Sequence, residues 1–280
     1  MYVGVPIAIP VTLSDGVASV TSTLTVSVED DSPIITSGPV VASSVTLDET
    51  DGSDPLSAGP PLVVTSSGAI ISAGVSFGAD GPGTATVYGL TLQGGTSVAS
   101  GLQTALGDQP ITLTLTSSTL ITATYNGGTQ TAFTIQMNAN GSVTVTQYTA
   151  LEHLVDGSTA AAYDDALSLI VGGVSLVNAT ATYTDFDGDR VSGTVGIGGA
   201  IIFRDDGPSI DVTASAAVEA GVLLTTSDDG TEGAGSTTAS SSANFGGVFG
   251  LTFATGADGA AAFRDLHEGR CAAAKIILRP

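Results

Sequence analysis

Hydrophobic residues in this chain recur at every second position, in short runs cut off by glycine and asparagine. Ile111-Thr-Leu-Thr-Leu-Thr116 alternates strictly, which places Ile111, Leu113 and Leu115 on one face. Leu120 to Tyr125 is a second run and ends on Asn126-Gly127-Gly128. Phe133, Ile135 and Met137 alternate next, and Asn138-Ala-Asn-Gly141 then leads into Val143 and Val145. Successive side chains of an extended strand point to opposite faces, so this spacing predicts strands with one buried side. The Asn-Gly steps between them favour tight hairpin turns. Further runs at 62–71, 85–92, 167–171, 174–183, 191–197 and 200–204 continue the pattern. Only Leu151–Leu154 and Ala160–Leu167 suit short helical turns. Many short strands with regular turns predict an all-β fold, an antiparallel β-sandwich that is immunoglobulin-like or related. Ile111, Leu113, Leu115, Phe133, Ile135, Val143 and Val145 are expected on its inner faces.

Composition agrees and narrows the function. Val, Ile and Thr favour a pleated, half-buried surface, and 42% hydrophobic residues with positive mean hydropathy are unlike a disordered acidic tail. Six Lys+Arg against 27 Asp+Glu give a net charge of -21. Phosphate binding needs clustered cations, so this balance argues against nucleic acid and against anionic membranes. It suits a self-repelling protein or one that collects divalent cations. Cys271 is the single cysteine, so no intrachain disulfide forms. No run of 18 apolar residues appears, which argues against membrane insertion, and the N-terminus has no classical signal peptide.

Two segments repeat. Residues 14–33 and 184–208 each begin on Ser/Thr-Asp, run through β-type sequence and close on Asp-Asp-Ser/Gly-Pro. The closing pairs, Asp30-Asp31 and Asp205-Asp206, lie 175 residues apart (205 − 30), and Ala79-Asp80-Gly81 recurs 178 residues later at 257–259. The expected organisation is a tandem array: 1–33 ends an upstream copy, 34–208 is one complete β-sandwich repeat, and 209–263 begins a third. The chain then reads as a fragment of a longer protein. Residues 264–280 hold Arg264, Arg270, Lys275, Arg279 and Cys271, and differ so sharply from the rest that a foreign or frame-shifted tail is expected. A short docking helix is the alternative.

Asp185-Phe-Asp187-Gly-Asp189 is the richest constellation. Three carboxylates at alternate positions around a glycine turn can converge on one hard cation such as Ca²⁺, and they repel one another unless neutralised. The order is not an EF-hand, because Arg190 stands where that loop needs glycine and Gly196 where it needs glutamate. The plain alternative is a solvated Asp-Gly turn. Glu29-Asp30-Asp31 and Asp205-Asp206 are further candidate ligands at the repeat ends, where a cation shared with Asp211, or with Asp48 and Glu49 of a neighbouring repeat, would stiffen the joint. A charged linker is the alternative there. His153 reads as a structural residue at a loop. No Walker loop, zinc spacing or dinucleotide fingerprint occurs, so no enzyme is expected.

The order LDETDGSD (47–54), FGADG (77–81), YGLTL (88–92), SGLQTALG (100–107), AFTIQMNANGSVTVTQYTALEH (132–153), TDFDGDRVS (184–192) and RDDGPSI (204–210) resembles a long repeat domain of giant bacterial adhesins. These are secreted by type I systems and are relatives of the repeats-in-toxin proteins. The resemblance covers about 46–210. It implies a calcium-stiffened extension region at the extracellular face of a bacterium, often in biofilms, whose partners are calcium ions and neighbouring repeats of the same polypeptide. The Gly-Gly-x-Gly-x-Asp nonapeptide of calcium β-rolls is absent, and the first partial copy keeps only Asp15-Gly16 of the acidic turn. A glycan- or ligand-binding β-sandwich module is the competing reading, and an accessory domain of a secreted hydrolase is a third.

Overall fold

The computed structural model describes residues 6–28, 30–49, 61–154, 164–207, 209–214 and 249–254. In chain order the strands are β1 (Ile7–Ser14), β2 (Ser19–Val26), β3 (Ile34–Val41), β4 (Val45–Asp48), β5 (Leu62–Thr65), β6 (Ile71–Ser76) and β7 (Val87–Leu92). Then come β8 (Ser97–Gln103), β9 (Pro110–Ser117), β10 (Leu120–Tyr125), β11 (Gln130–Met137) and β12 (Val143–Gln147). They are followed by β13 (Ala166–Ser168), β14 (Ile170–Val171), β15 (Val174–Ser175), β16 (Val177–Thr184), β17 (Arg190–Gly196) and β18 (Ile201–Arg204). The last two are β19 (Ser209–Ala214) and β20 (Phe249–Ala254). No α-helix occurs among the described residues, and the fold is all-β and sandwich-like.

One layer is a six-stranded antiparallel sheet in the order β5-β12-β11-β10-β9-β8. Smaller sheets, β17-β16-β7, β3-β6 and β13-β18-β4, form the facing layer. Alternation decides what lies between them. Ile111, Leu113, Ile121, Phe133, Ile135, Val143 and Val145 of the large sheet are buried in one cluster with Val45, Leu47, Leu90, Ala179, Ala181 and Phe203 of the facing sheets. Phe133 and Phe203 meet across the layers with ring centroids 4.9 Å apart and planes tilted by 49°. Such a pair contributes about 1 kcal/mol beyond the area it buries. The outer surface carries threonine ladders, Thr116 to Thr122 at 3.0 Å and Thr180 to Thr194 at 2.8 Å. Cross-strand hydroxyl pairs of this kind support register without hydrophobic burial.

The expected inner face is present with one exception. Leu115 is only partly buried, because the β9–β10 ladder shifts register beside it, from Leu120 opposite Ser117 to Ile121 opposite Leu115. A second irregularity, on β11, leaves Ala132 outside the regular register beside Phe133, and both side chains are buried. The run at 62–71 is two strands, split where Ser66 Oγ donates to the Gly68 carbonyl at 2.6 Å. Leu151–Leu154 is not helical: Leu151 bridges to Thr104. Ala166 and Leu167 lie in β13, and residues 160–163 and the tail at 264–280 lie outside the described residues. The sheets are antiparallel apart from one pair, since β4 and β18 run parallel with Val45 opposite Ile201 and Asp48 opposite Arg204. No helix among the described residues is long and apolar enough to cross a membrane.

Candidate metal centre

The β16–β17 connection is built by Asp185. Its Oδ1 accepts the backbone N–H of Gly188 at 3.0 Å and of Asp189 at 2.7 Å, and its own N–H donates to the Asp189 carbonyl at 3.0 Å. Gly188 takes φ 112°, a conformation that side chains resist. A second loop, 77–83, packs on this turn: Phe186 N–H donates to Gly81 O at 3.2 Å and Gly83 N–H to Thr184 O at 2.9 Å. A Cβ on Gly83 would lie 1.7 Å from the Asp185 carbonyl oxygen, so only glycine permits the approach. A third segment arrives from the linker before β3. Asp31 Oδ2 accepts Ala79 N–H at 2.9 Å, and Ser32 Oγ donates to Asp189 Oδ2 at 2.8 Å.

These three segments gather carboxylates. Asp185, Asp187 and Asp189 can each place one oxygen within 4.8 Å of the others, and Asp30, Asp80 and Asp187 do the same. Asp187 belongs to both sets. Its carboxyl is pushed up to about 6, first by a hydrogen bond with Asp185, then by desolvation and by the charges of Asp185 and Asp30, against a lowering bond from the Asp189 backbone. Asp185 is 1% exposed, and its Oδ2 is buried without a hydrogen-bond donor. A cation would satisfy that oxygen. The donor set is entirely oxygen, which is the chemistry of Ca²⁺.

The sequence-derived ligands therefore divide. Asp185, Asp187, Asp189 and Asp30 come together, and Asp80, which the sequence marked only as part of a recurring Ala-Asp-Gly, joins them. Asp31 belongs to neither triad and holds the 77–83 loop instead, while Glu29 lies outside the described residues. Asp30 groups with Asp80 and Asp187, whereas Glu49 groups with His153 and Asp205. Asp205 is elsewhere, buried with Glu49 and His153, and Asp206 follows it with its N–H on Asp205 Oδ1 at 2.9 Å. The parallel register explains this second cluster: Asp48 faces Arg204, so Glu49 and Asp205 come next on adjacent strands. His153 lies in the loop after β12, buried beside Glu49 and Asp205. Asp205 and Glu49 were already candidate ligands in the sequence, placed there in neighbouring repeats rather than one, and His153 joins them through no local pattern.

A separate open cleft of about 330 Å³ lies among Thr104, Leu106, Gln109, Tyr125, Asn126 and Gln130. No curated protein matches the chain. No solved structure matches it either. The model of the family described as Domain of unknown function (DUF5801) matches residues 44–198, more than half of the chain and nearly all of the sandwich, and the chain belongs to that family.

Proposed function

We propose that this chain is a structural extension repeat of a secreted bacterial surface adhesin, stabilised by Ca²⁺ and supporting cell adhesion or biofilm formation. The supporting observation is repetition of strand pairing. In β3–β6, Ile34 faces Ser76; in β19–β20, Ser209 faces Ala254, offset by 175 (209 − 34) and 178 (254 − 76) residues. In β1–β2, Ser14 faces Ser19; in β16–β17, Thr184 faces Arg190, offset by 170 (184 − 14) and 171 (190 − 19). A spacer gains reach from every added copy, whereas a catalytic site gains little.

Calcium fits the junction between copies. Asp30 precedes β3, whereas Asp80, Asp185, Asp187 and Asp189 belong to the following sandwich, so these residues would hold one ion across the joint. The ion would supply charge neutralisation where the carboxylates crowd, and the linker would lose its freedom to swing. Small-angle scattering of the full chain tests this reading. A longer, narrower distance distribution in millimolar Ca²⁺ than in chelator is expected, and identical profiles at matched ionic strength would refute it. The cleft beside Tyr125, with its amides and hydroxyls, favours glycan binding as a second reading. Binding on a glycan array that is lost in Tyr125→Ala would establish it.

A further inference from the structure

We propose that Glu49, His153 and Asp205 form a second, chemically different metal site that takes a transition ion of the Zn²⁺ class. Three observations meet there. The three side chains each offer a ligand atom, all within 4.8 Å of one another. All three residues are buried, at 3%, 7% and 8% exposure. Both ring nitrogens of His153 are buried with no hydrogen-bond partner, and Asp165 Oδ2, at 3.9 Å from Nδ1, stands beyond hydrogen-bond reach. A histidine that leaves both nitrogens unsatisfied in a closed interior is costly unless something else engages them.

The surroundings hold the ligands in place. Glu49 Oε1 accepts bonds from Gln147 Nε2 and from Leu151 N–H. The 149–153 segment is pinned by Ala105 N–H on Ala150 O at 3.1 Å and Glu152 N–H on Gln103 O at 3.0 Å. Asp205 N–H donates to Asp165 O at 2.9 Å. Burial favours the neutral imidazole of His153, opposed by the charge of Asp165, and a neutral imidazole keeps a lone pair on one nitrogen. Nitrogen with two carboxylates suits Zn²⁺ and its neighbours, while Ca²⁺ prefers oxygen alone. Three protein ligands leave a fourth tetrahedral position for water. The ion would tie the ends of β4 and β18 to the segment that leaves β12.

The test uses the 280-residue chain stripped by chelator and then supplied with Ca²⁺, so that the acidic junction is saturated before zinc is added. His267→Gln with Cys271→Ser leaves His153 as the sole histidine and removes the sole thiol. One zinc equivalent is expected, with imidazole scattering in its X-ray absorption fine structure and no sulfur. His153→Gln should weaken zinc binding by at least about 100-fold, the upper range for disturbing a metal's surroundings. Asp187→Asn should leave zinc binding unchanged. A chain that takes up no zinc, a bound zinc without imidazole scattering, or affinity retained in both His153→Gln and Asp205→Asn would overturn the proposal. The absorption measurement needs no variant at the site itself, so misfolding of His153→Gln cannot hide the answer.

Discussion

Two hairpins of this molecule are near copies in backbone and opposites in surroundings. Both β1–β2 and β16–β17 pair an eight-residue first strand with its neighbour through an aspartate-capped turn. Asp15 Oδ1 accepts the N–H groups of Val17 and Ala18 at 2.9 and 2.7 Å, as Asp185 Oδ1 accepts those of Gly188 and Asp189. Threonines face each other across both, Thr12 with Thr21 and Thr180 with Thr194. Yet Ile9 and Val11 are 43% and 52% exposed, while Ala179 and Ala181 in the matching places are fully buried. The difference lies in partners, because β16 also pairs with β7 and β17 packs on β3, whereas β1 and β2 pair only with each other among the described residues. Local sequence specifies a hairpin; the neighbouring strands decide whether its faces become core.

The largest test of that contrast is a matched pair of charges. Ala181→Asp should destabilise the chain by about 4 kcal/mol by burying an unpaired carboxylate, and Val11→Asp should stay within about 0.5 kcal/mol of the parent. Urea midpoints measure both, and an equal loss would mean that β1 is packed. Gly83→Ala comes next, because its Cβ collides with the Asp185 backbone that the other hairpin leaves uncrowded. A loss of about 3 kcal/mol is expected, together with loss of any calcium response.

Calcium separates the hairpins on a smaller scale, since only one turn carries the extra carboxylates. At tenfold excess over its dissociation constant, one site adds about 1.4 kcal/mol, so melting should rise in Ca²⁺ and fall in chelator. Asp187→Asn with Asp189→Asn should abolish that gain while leaving the metal-free melting temperature unchanged or higher. The smallest effect concerns Asp15, whose pKa is lowered by the backbone N–H groups of Ala18 and Val17. A carboxylate with a depressed folded pKa stabilises above its unfolded value near 3.8, and the contribution is lost as pH falls through the folded value. Carbon-detected NMR titration should show Asp15 deprotonating below the ordinary carboxylate value, and the order Asp15→Asn loses should be confined to the hairpin.

The sequence made β9 to β12 legible because their apolar residues alternate, and β10 and β11 run into Asn126 and Asn138. Strands β3, β4 and β8 escaped it for particular reasons. Gly38 and Pro39 interrupt β3, β4 has only four residues, and β8 places Ser100 at a buried position where an apolar side chain would have marked the face. Ser100 is accommodated because its hydroxyl donates to Ile111 O at 2.8 Å. The acidic turn was readable because its three aspartates stand at alternate positions within five residues. Asp30 and Asp80 join it only through the docking of two other loops, and Glu49 and Asp205 meet because β4 and β18 are in register, with His153 arriving from the segment after β12. Those contacts are tertiary and leave no local pattern.

The parallel pairing of β4 with β18 has a mechanical consequence. The chain enters β4 at one end of the pair and leaves β18 at the opposite end, so tension along the polypeptide draws the two strands past each other. Their hydrogen bonds, from Val45–Ile201 to Asp48–Arg204, are then loaded together in shear. The β1–β2 hairpin has both free ends on the same side and would unzip one bond at a time. Forced unfolding is governed by the rate of crossing the barrier, and a barrier at which several bonds must yield at once is crossed slowly. A sandwich held this way transmits pull from one end to the other with its core closed.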